Sequence, residues 1–307
     1  MSQSRSISPT TVGVWFALAS ASMFAIRPIV VKLVYEQGTD STTLIAYRMM
    51  FSIPIYIVLL AVLLANPEHR ARLTTRRVLG ASVVGLLGYY SASFLDLLGL
   101  QYVTAQLGRM MLYSYPTFVV ILGALFFGRT ISKNVVLSLF ITYTGIAIIF
   151  GHDLNVFGDE VVTGALFIFG SALSFALYLL LSKQLIVDLG SRVFTCIALI
   201  AASIAILIHY TITHNVSEPQ VNGTALWLIF IIALFCTVIP SFFTAAAVER
   251  IGPDRTGIIA MIGPAVTSLF AVLVLSEDFT VYHAIGIIVT VLGIWVLNHP
   301  RTSRDKL

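Results

Sequence analysis

The stretch from Gln106 to Pro116 places a permanent positive charge inside an apolar run that continues to Phe127. Arginine keeps its proton in proteins, and an arginine at the centre of a membrane-spanning helix costs roughly 3 kcal/mol on insertion scales. At 3.6 residues per turn, Gln106, Arg109 and Tyr113 lie on one helix face, and Pro116 follows about two turns after Arg109. We therefore expect this face to point into a polar cavity enclosed by other helices.

Three more charged side chains occur at a comparable depth in neighbouring apolar runs, namely Arg27, Arg48 and Asp96. Each lies within ~10 Å of the same predicted membrane boundary at 1.5 Å of helix per residue. Three cations around one carboxylate favour an anionic solute, such as one with a carboxylate or phosphate group. Two structural alternatives stay open: Arg48 extends to the lipid headgroups, or Arg27 simply pairs with Asp96.

Polar and aromatic residues complete the predicted site. Tyr89 and Ser93 share the helical face of Asp96, which is the acidic residue placed most clearly inside a predicted span. Asp96 is also the coupling candidate, because it could carry a proton or hold an arginine between substrates. His209 is a possible proton carrier, although a lone histidine near a membrane end is more often an interfacial residue. The predicted substrate-binding residues are Arg27, Arg48, Tyr89, Ser93, Asp96, Gln106, Arg109, Tyr113 and Tyr178.

The composition determines the class of protein that holds these residues. Of 307 residues, 58% are hydrophobic and 10% charged, and the mean hydropathy is +0.96. These values exclude a soluble globular protein and indicate an integral membrane protein. The net charge of +4 does not indicate nucleic-acid binding, because the basic residues are not gathered in an amphipathic patch. Cys196 and Cys236 lie within apolar runs, so we expect buried, reduced thiols.

Ten apolar runs are long enough to span a bilayer. They cover about 11–34, 42–65, 78–98, 103–127, 134–150, 161–183, 193–213, 224–248, 254–275 and 281–298. If the N-terminus is cytoplasmic, the loops on the opposite side hold Lys32 as their only basic residue. This strong bias of Lys and Arg predicts that both termini are cytoplasmic.

The second half of the chain repeats the first. Residues 13–32 align without a gap with residues 164–183, with Ser20 matching Ser171, and residues 116–145 have the same spacing as residues 264–293. Because each repeat holds five helices, the two copies must cross the membrane in opposite directions. The sequence therefore predicts an all-α membrane protein with ten transmembrane helices in two inverted repeats, 1–153 and 154–307. In such architectures the substrate site lies near the repeat interface.

The two openings, from Gly13 through Ser20 to Lys32 and from Gly164 through Ser171 to Lys183, are the first part of a family resemblance. The second part is the pair of endings Tyr-Pro116 to Gly145 and Gly-Pro264 to Gly293, the latter with Ser-Glu277 inside it. Together with the ten predicted helices, they resemble the EamA family of the drug/metabolite transporter superfamily.

The resemblance implies a transporter of amino acids, metabolites, nucleotide precursors or drugs. One departure is that the Gly-Glu often closing the fourth helix is Gly128-Arg129 here. This leaves Glu277 without an expected partner in the first half, so no role is predicted for it.

The predicted function is secondary transport of a small organic solute, anionic or zwitterionic, by alternating access in the bacterial inner membrane. The alternative within this class is export of amino acids or toxic metabolites. The sequence has no phosphate-binding Gly-x-x-x-x-Gly-Lys loop and no metal-ligand spacing, so we expect no ATPase activity, no cofactor and no metal.

An enzyme or a non-transporting scaffold is the alternative from another class. We expect transport to be coupled to H⁺ or to a counter-solute. We also expect the protein to be a monomer or a homodimer in the lipid bilayer. Four residues beside the site weaken helical hydrogen bonding and are predicted bending points: Gly108, Pro116, Gly263 and Pro264.

Overall fold

A computed structural model describes residues 9–128, 131, 133–214 and 221–298, and all regular structure within these ranges is helical. The helices are α1 Pro9–Glu36, α2 Ser41–Leu64, α3 Pro67–Ala71, α4 Thr75–Gly85, α5 Ala92–Gly99, α6 Ala105–Leu112, α7 Tyr115–Phe127, α8 Lys133–Phe157, α9 Glu160–Leu189, α10 Ser191–Thr213, α11 Gly223–Ala233, α12 Ile239–Ile251, α13 Pro253–Ala260, α14 Gly263–Leu275 and α15 Val281–Asn298. π-Helical turns at Leu86–Ser91 and Leu234–Val238 join α4 to α5 and α11 to α12.

Eight helical stretches of the described chain are long and apolar enough to cross a membrane, and two shorter apolar helices cover Gly263–Leu275 and Val281–Val296. Two of the ten predicted runs are interrupted by a break in the helix. The run 103–127 is divided into α6 and α7 at residues 113–114, and the run 254–275 is divided into α13 and α14 at residues 261–262. Proline at the first turn of α7 and of α14 is the physical reason, because it has no backbone N–H to continue the preceding helix.

From α4 onward, the elements recur at a constant distance along the chain. The helices α4, α6, α7 and α8 begin 148 residues before α11, α13, α14 and α15, as residues 75 and 223 show for the first pair. The two π turns begin at residues 86 and 234, with the same separation. Both α7 and α14 have 13 residues and end at a residue in the left-handed conformation, Gly128 with φ 61° and Ser276 with φ 54°.

Pairs of corresponding residues make reciprocal contacts between distant helices. The Ser20 hydroxyl on α1 donates to the carbonyl oxygen of Pro240 on α12 at 2.8 Å. The Ser171 hydroxyl on α9, which aligns with Ser20, donates to the carbonyl oxygen of Ala92 on α5 at 2.7 Å. Since Ala92 and Pro240 are themselves 148 residues apart, the same hydrogen bond is formed twice.

Helices α8 and α15 form a second reciprocal contact. A Cβ atom added at Gly145 would overlap Thr290, and one added at Gly293 would overlap Thr142. Small residues at these positions allow the two backbones to approach closely, as is common between membrane helices. The Ser138 hydroxyl adds a hydrogen bond of 2.6 Å to the carbonyl oxygen of Gly293. This pair of helices therefore forms a tightly packed unit.

Candidate functional site

An ion pair joins α1 to α5 inside the bundle. The Arg27 guanidinium donates from Nη2 to Oδ2 of Asp96, and Asp96 is only 6% exposed. The structure thus forms the Arg27–Asp96 pair that the sequence left open as an alternative. The pair satisfies the carboxylate and neutralises one of the arginines predicted to bind substrate.

Arg109 on α6 lies next to this pair but is not neutralised by it. Its guanidinium carbon is 5.2 Å from the centroid of the Tyr113 ring, a cation–π distance. Its Nε atom is buried, and the guanidinium forms no hydrogen bond or ion pair with any described residue. A partly buried guanidinium without a protein partner is a group that can bind a carboxylate or phosphate from a ligand.

A small cavity lies between these charges. Its walls include Arg27, Asp96, Gly108 and Arg109, with Leu100 and Leu112 on the apolar side. The volume is about 10 Å³, enough for about one water molecule, so the cavity is too small for an organic solute in this conformation. Two arginines and one carboxylate give the walls a formal charge of +1. A larger open depression of about 430 Å³ near the start of α4 is lined by Leu, Val, Ser and Thr alone.

The breaks of the two divided helices meet beside the cavity. The Tyr113 hydroxyl, at the end of α6, donates to the carbonyl oxygen of Ala260 at the end of α13 at 3.0 Å. Gly263, the first residue of α14, lies so close that an added Cβ would be 2.6 Å from Tyr113 Oη and 3.2 Å from Arg109 Nη2. Arg109 and Tyr113 therefore occupy space that only a glycine at position 263 leaves open.

The other predicted charge, Arg48, lies deeper in the protein than expected. It is 2% exposed, its Nε atom has no hydrogen-bond partner in the described chain, and it is within electrostatic range of Arg27 and Asp96. This degree of burial excludes the extension to headgroups that the sequence allowed. Arg48 does not line the cavity in this conformation.

The tyrosines form a separate group. The Tyr89 hydroxyl, on the first π turn, lies 3.0 Å from the Tyr178 hydroxyl on α9, and the two rings meet edge to face. Tyr178 packs over Gly88, where an added Cβ would overlap its ring. Ser93 lies between this group and the Arg27–Asp96 pair along the chain and is partly buried. The structure therefore brings Arg27, Asp96 and Arg109 together but places Tyr89 and Tyr178 outside that cavity.

Glu277 contradicts the sequence prediction that it lacks a partner in the first half. Its carboxylate oxygens accept from the backbone N–H groups of Ala105, at 2.7 Å, and Gln106, at 3.4 Å. A carboxylate at the start of a helix is favoured by the helix dipole and satisfies unpaired N–H groups. The partner was missed because it is backbone, which no side-chain pattern reveals. The fully buried Gln106 donates through Nε2 to the carbonyl oxygen of Asp278 at 3.2 Å and so does not line the cavity.

The predicted bending points fall in different structural positions. Pro116, Gly263 and Pro264 lie in the first turns of α7 and α14, directly after the breaks. Gly108 lies inside α6, where an added Cβ would be 2.8 Å from Leu100 and 3.3 Å from Ile168. Its small size is therefore required for packing within a continuous helical segment.

Several other predictions have structural outcomes. Cys196 and Cys236 are both buried free thiols, as predicted. His209 shares a hydrogen bond of 2.9 Å with the Tyr90 hydroxyl and packs against Phe94. Arg129 lies outside the described residues.

Asp96 is not the only buried acidic residue of the spans. Asp153 is fully buried in α8, because this helix continues to Phe157 beyond the predicted limit of 150. It lies with His152 and His283 in a cluster of potential metal ligands. No sequence pattern indicates this cluster, since His283 is far from the other two residues along the chain.

Comparison with known proteins places this arrangement in a family. The model of the EamA-like transporter family matches the chain twice, over residues 11–151 and 162–299. The uncharacterized transporter YcbK of Bacillus subtilis is 27% identical over 91% of this chain and 90% of its own length. An uncharacterized transporter of Vibrio cholerae is 27% identical over 87% of this chain and 85% of its own length.

More distant relatives agree with this result. A WAT1-related protein of Arabidopsis thaliana is 23% identical over 90% of this chain and 85% of its own length. A solved crystal structure that is 17% identical covers 94% of this chain and 96% of its own with a TM-score of 0.64, which supports the same fold. The apolar helices, the divided helices that meet at Arg109, and the twofold match to the family model lead to one conclusion: the chain belongs to the EamA-like transporter family of the drug/metabolite transporter superfamily and is a multi-pass membrane transporter.

Proposed function

We propose that the protein is a secondary transporter that carries a small organic anion or zwitterion by alternating access. The observation that carries this proposal is the uncompensated Arg109 guanidinium, which lies in the cavity beside the Arg27–Asp96 pair. An anionic group of the solute would pair with Arg109, and a zwitterion could in addition offer its ammonium group to Asp96. A free cation would meet walls that already carry an excess of positive charge.

Alternating access requires two halves that can exchange positions. We propose that ten membrane-spanning segments form two inverted five-helix repeats, 1–153 and 154–307. The separation of 148 residues between corresponding elements and the reciprocal Ser20 and Ser171 hydrogen bonds support this arrangement. A contact in which residues exchange roles is the signature of a twofold axis. Helices divided near the centre of the bundle are also a common feature of secondary transporters.

The proposed cellular location is the bacterial inner membrane, with both termini in the cytoplasm. In this orientation, Asp159 between α8 and α9 faces outward, and it is exposed in the structure. An Asp159→Cys variant in intact cells should react with a membrane-impermeant thiol reagent. Labelling that appears only after the cells are permeabilised would contradict the inverted arrangement.

The substrate class is tested on purified protein in detergent. A ligand that binds the folded state raises its melting temperature, so a metabolite library can be screened by thermal shift. We expect the positive results to be carboxylates, phosphates or zwitterions, and uptake of a positive compound into proteoliposomes should be saturable. A set of ligands made up of cations and neutral compounds would contradict the proposal.

Asp96 is the proposed coupling group, because it is the carboxylate that faces the cavity. Asp96→Asn should remove or shift the dependence of flux on a proton gradient. This variant leaves the partly buried Arg27 without its partner, so a folding defect is expected from the charge alone. The double variant Arg27→Gln with Asp96→Asn removes both charges and serves as the control. An unchanged pH profile of flux in a folded Asp96→Asn protein would exclude this role.

A further inference from the structure

A second polar cluster lies away from the substrate cavity, where α8 ends and α15 begins. His152 and Asp153 lie near the C-terminal end of α8, and His283 lies in the first turn of α15. The side chains of Asp153 and His283 are 1% and 2% exposed, and that of His152 is 17% exposed. Each offers one ligand atom, and these atoms lie within 4.8 Å of one another.

The distances fit the coordination sphere of one metal ion. Asp153 Oδ1 lies 3.2 Å from His152 Nδ1 and 3.3 Å from His283 Nε2. In a tetrahedral zinc site with bonds of about 2.0–2.2 Å, neighbouring ligand atoms are ~3.4 Å apart. Both separations from Asp153 therefore match the edge of such a site. Two imidazoles and one carboxylate are also a common zinc ligand set that leaves a fourth position open.

His283 supplies an independent sign that something is bound here. Its Nε2 atom is buried and makes no hydrogen bond within the described chain, because its 3.3 Å approach to Asp153 does not have hydrogen-bonding geometry. A buried nitrogen without a partner carries a desolvation cost that a ligand would remove. The atom points toward the same carboxylate oxygen that His152 approaches.

Threonines on both sides orient the ligands. Thr104 donates from its hydroxyl to Asp153 Oδ2 at 2.9 Å, which leaves Oδ1 free to face the two histidines. The Thr280 hydroxyl lies 2.9 Å from Nδ1 of His283. Its oxygen can accept a hydrogen bond from Nδ1–H, and in that tautomer Nε2 carries the lone pair. Hydrogen bonds of this kind from the outer shell fix the tautomer and ring orientation of metal-binding histidines.

From this geometry we propose that His152, Asp153 and His283 bind a divalent transition-metal ion of the zinc type. The competing occupant is a proton on His283 Nε2, with Nδ1 accepting from the backbone N–H of Thr280 at 3.3 Å. In that case the cluster is a hydrogen-bonded network of one carboxylate and two imidazoles that takes up no metal. The two alternatives are distinguished by whether the purified protein binds a divalent metal ion.

The position of the cluster gives the ion a mechanical consequence. It would join α8 to α15, and Thr104 connects Asp153 to the first turn of α6, which carries Arg109. If the proposed transport cycle requires α6 to move against α8 and α15, bound Zn²⁺ should slow flux from the side where the cluster lies. This consequence rests on the proposed function, whereas the binding of the metal does not.

The test uses Co²⁺ as a spectroscopic substitute for Zn²⁺ on the full-length protein with its affinity tag removed. We expect one equivalent of Co²⁺ to bind with the intense visible absorption of a four-coordinate site, and Zn²⁺ to displace it. His283→Gln and His152→Gln should each weaken binding by more than about 100-fold. Thr280→Val, which removes an outer-shell hydroxyl, should weaken it by about 10–100-fold.

A histidine elsewhere in the chain provides the matched control. His69 on α3 is partly buried and also has an unpartnered ring nitrogen, so His69→Gln should leave Co²⁺ binding unchanged. If His283→Gln does not fold, the more exposed His152→Gln decides the question, with melting temperatures measured without metal as the check on folding. Wild-type protein that binds no Co²⁺ or Zn²⁺, or binding that survives in His152→Gln, would overturn the proposal. Metal binding without any effect on flux would count against the proposed movement of α6 alone.

Discussion

The divided helices α6–α7 and α13–α14 have the same backbone but different chemistry. Both pairs have helices of 8 and 13 residues, with the break in the same place. In the first pair, Arg109 and Tyr113 are large polar residues beside the break. Their counterparts 148 residues later are Gly257 and Met261. The duplicated backbone provides two helix breaks, whereas the large polar side chains of the proposed site come from one of them.

The difference is also one of steric complementarity. Gly263, at the start of α14, faces Arg109 and Tyr113 across the contact, and its counterpart in the first pair is Tyr115. One side of the contact supplies volume and charge, and the other supplies space and a backbone carbonyl at Ala260. The two halves of the chain therefore share a backbone pattern while the side chains at the contact differ. Substitutions on the two sides should consequently have different effects.

The largest effect is expected when the charged side loses its charge. Arg109→Ala should weaken solute binding by roughly thirtyfold or more, because truncating a charged contact in a desolvated site costs on the order of 2–5 kcal/mol. Arg109→Lys keeps the charge but loses the planar guanidinium, so its affinity should fall between those of the wild type and Arg109→Ala. Equilibrium binding of the solute found in the thermal-shift screen measures both variants.

Melting temperatures of the same samples separate binding from folding. If Arg109 has a structural role alone, its removal lowers the melting temperature while the surviving protein binds the solute normally. Normal affinity in a well-folded Arg109→Ala protein would remove this residue from the site and leave Arg27 as the next candidate.

A smaller effect is expected when the glycine side gains volume. In Gly263→Ala the new methyl group would displace the Tyr113 hydroxyl from Ala260 and shift the Arg109 guanidinium. The loss of one hydrogen bond costs about 1 kcal/mol, and a similar penalty on binding corresponds to about fivefold in affinity. Gly151→Ala in α8 is the matched control, because nothing lies within 4 Å of its added Cβ. Equal melting temperature and affinity in Gly263→Ala and wild type would show that the contact is not tight.

The sequence predicted bending points next to both divisions but not the divisions themselves. Pro116 and Pro264 marked both regions, and the repeat gave their spacing. The breaks themselves fall at Tyr113-Ser114 and Met261-Ile262, which are not helix-breaking residues. They are determined by the proline that follows and by tertiary packing. The π turn that carries Tyr89 likewise depends on tertiary packing, so no residue pattern predicts it.

Some groups of the candidate site are recognisable in the sequence, whereas others depend on contacts that the sequence does not reveal. Arg27, Asp96 and Arg109 were found because charges inside apolar runs are costly and therefore conspicuous. The backbone contacts of Glu277 and the cluster around Asp153 were missed because their partners are peptide groups or residues distant in sequence. Tyr178 was placed at the cavity because it aligns with Arg27, but the close approach of Gly88 draws its ring toward Tyr89. Alignment predicts a corresponding position, and packing decides which way the side chain points.

The smallest expected effect concerns a local difference between the second helix of each half. Asp40 caps α2, and its Oδ1 accepts from the backbone N–H groups of Thr42 at 2.8 Å and Thr43 at 3.1 Å. The equivalent helix α10 begins after Gly190, which has a φ of 83° and no side chain to form such bonds. Asp40→Ala should therefore lower stability by about 1 kcal/mol. Asp159→Ala is the matched control, since Asp159 precedes α9 without a capping hydrogen bond.

The pH dependence of this effect follows from the capping bonds. Burial alone would raise the pKa of Asp40. The hydrogen bonds from Thr43 and Thr42 and the charge of the nearby His214 lower it by a larger amount, so the net pKa lies below its ordinary value. The carboxylate therefore stabilises the folded state above the unfolded-state pKa of about 3.9, and this contribution is lost as the pH falls through the lower folded-state pKa. Thermal unfolding should show a difference between wild type and Asp40→Ala near pH 5 that shrinks below about pH 4. A difference that persists unchanged well below about pH 4 would show that the carboxylate is not the group that caps α2.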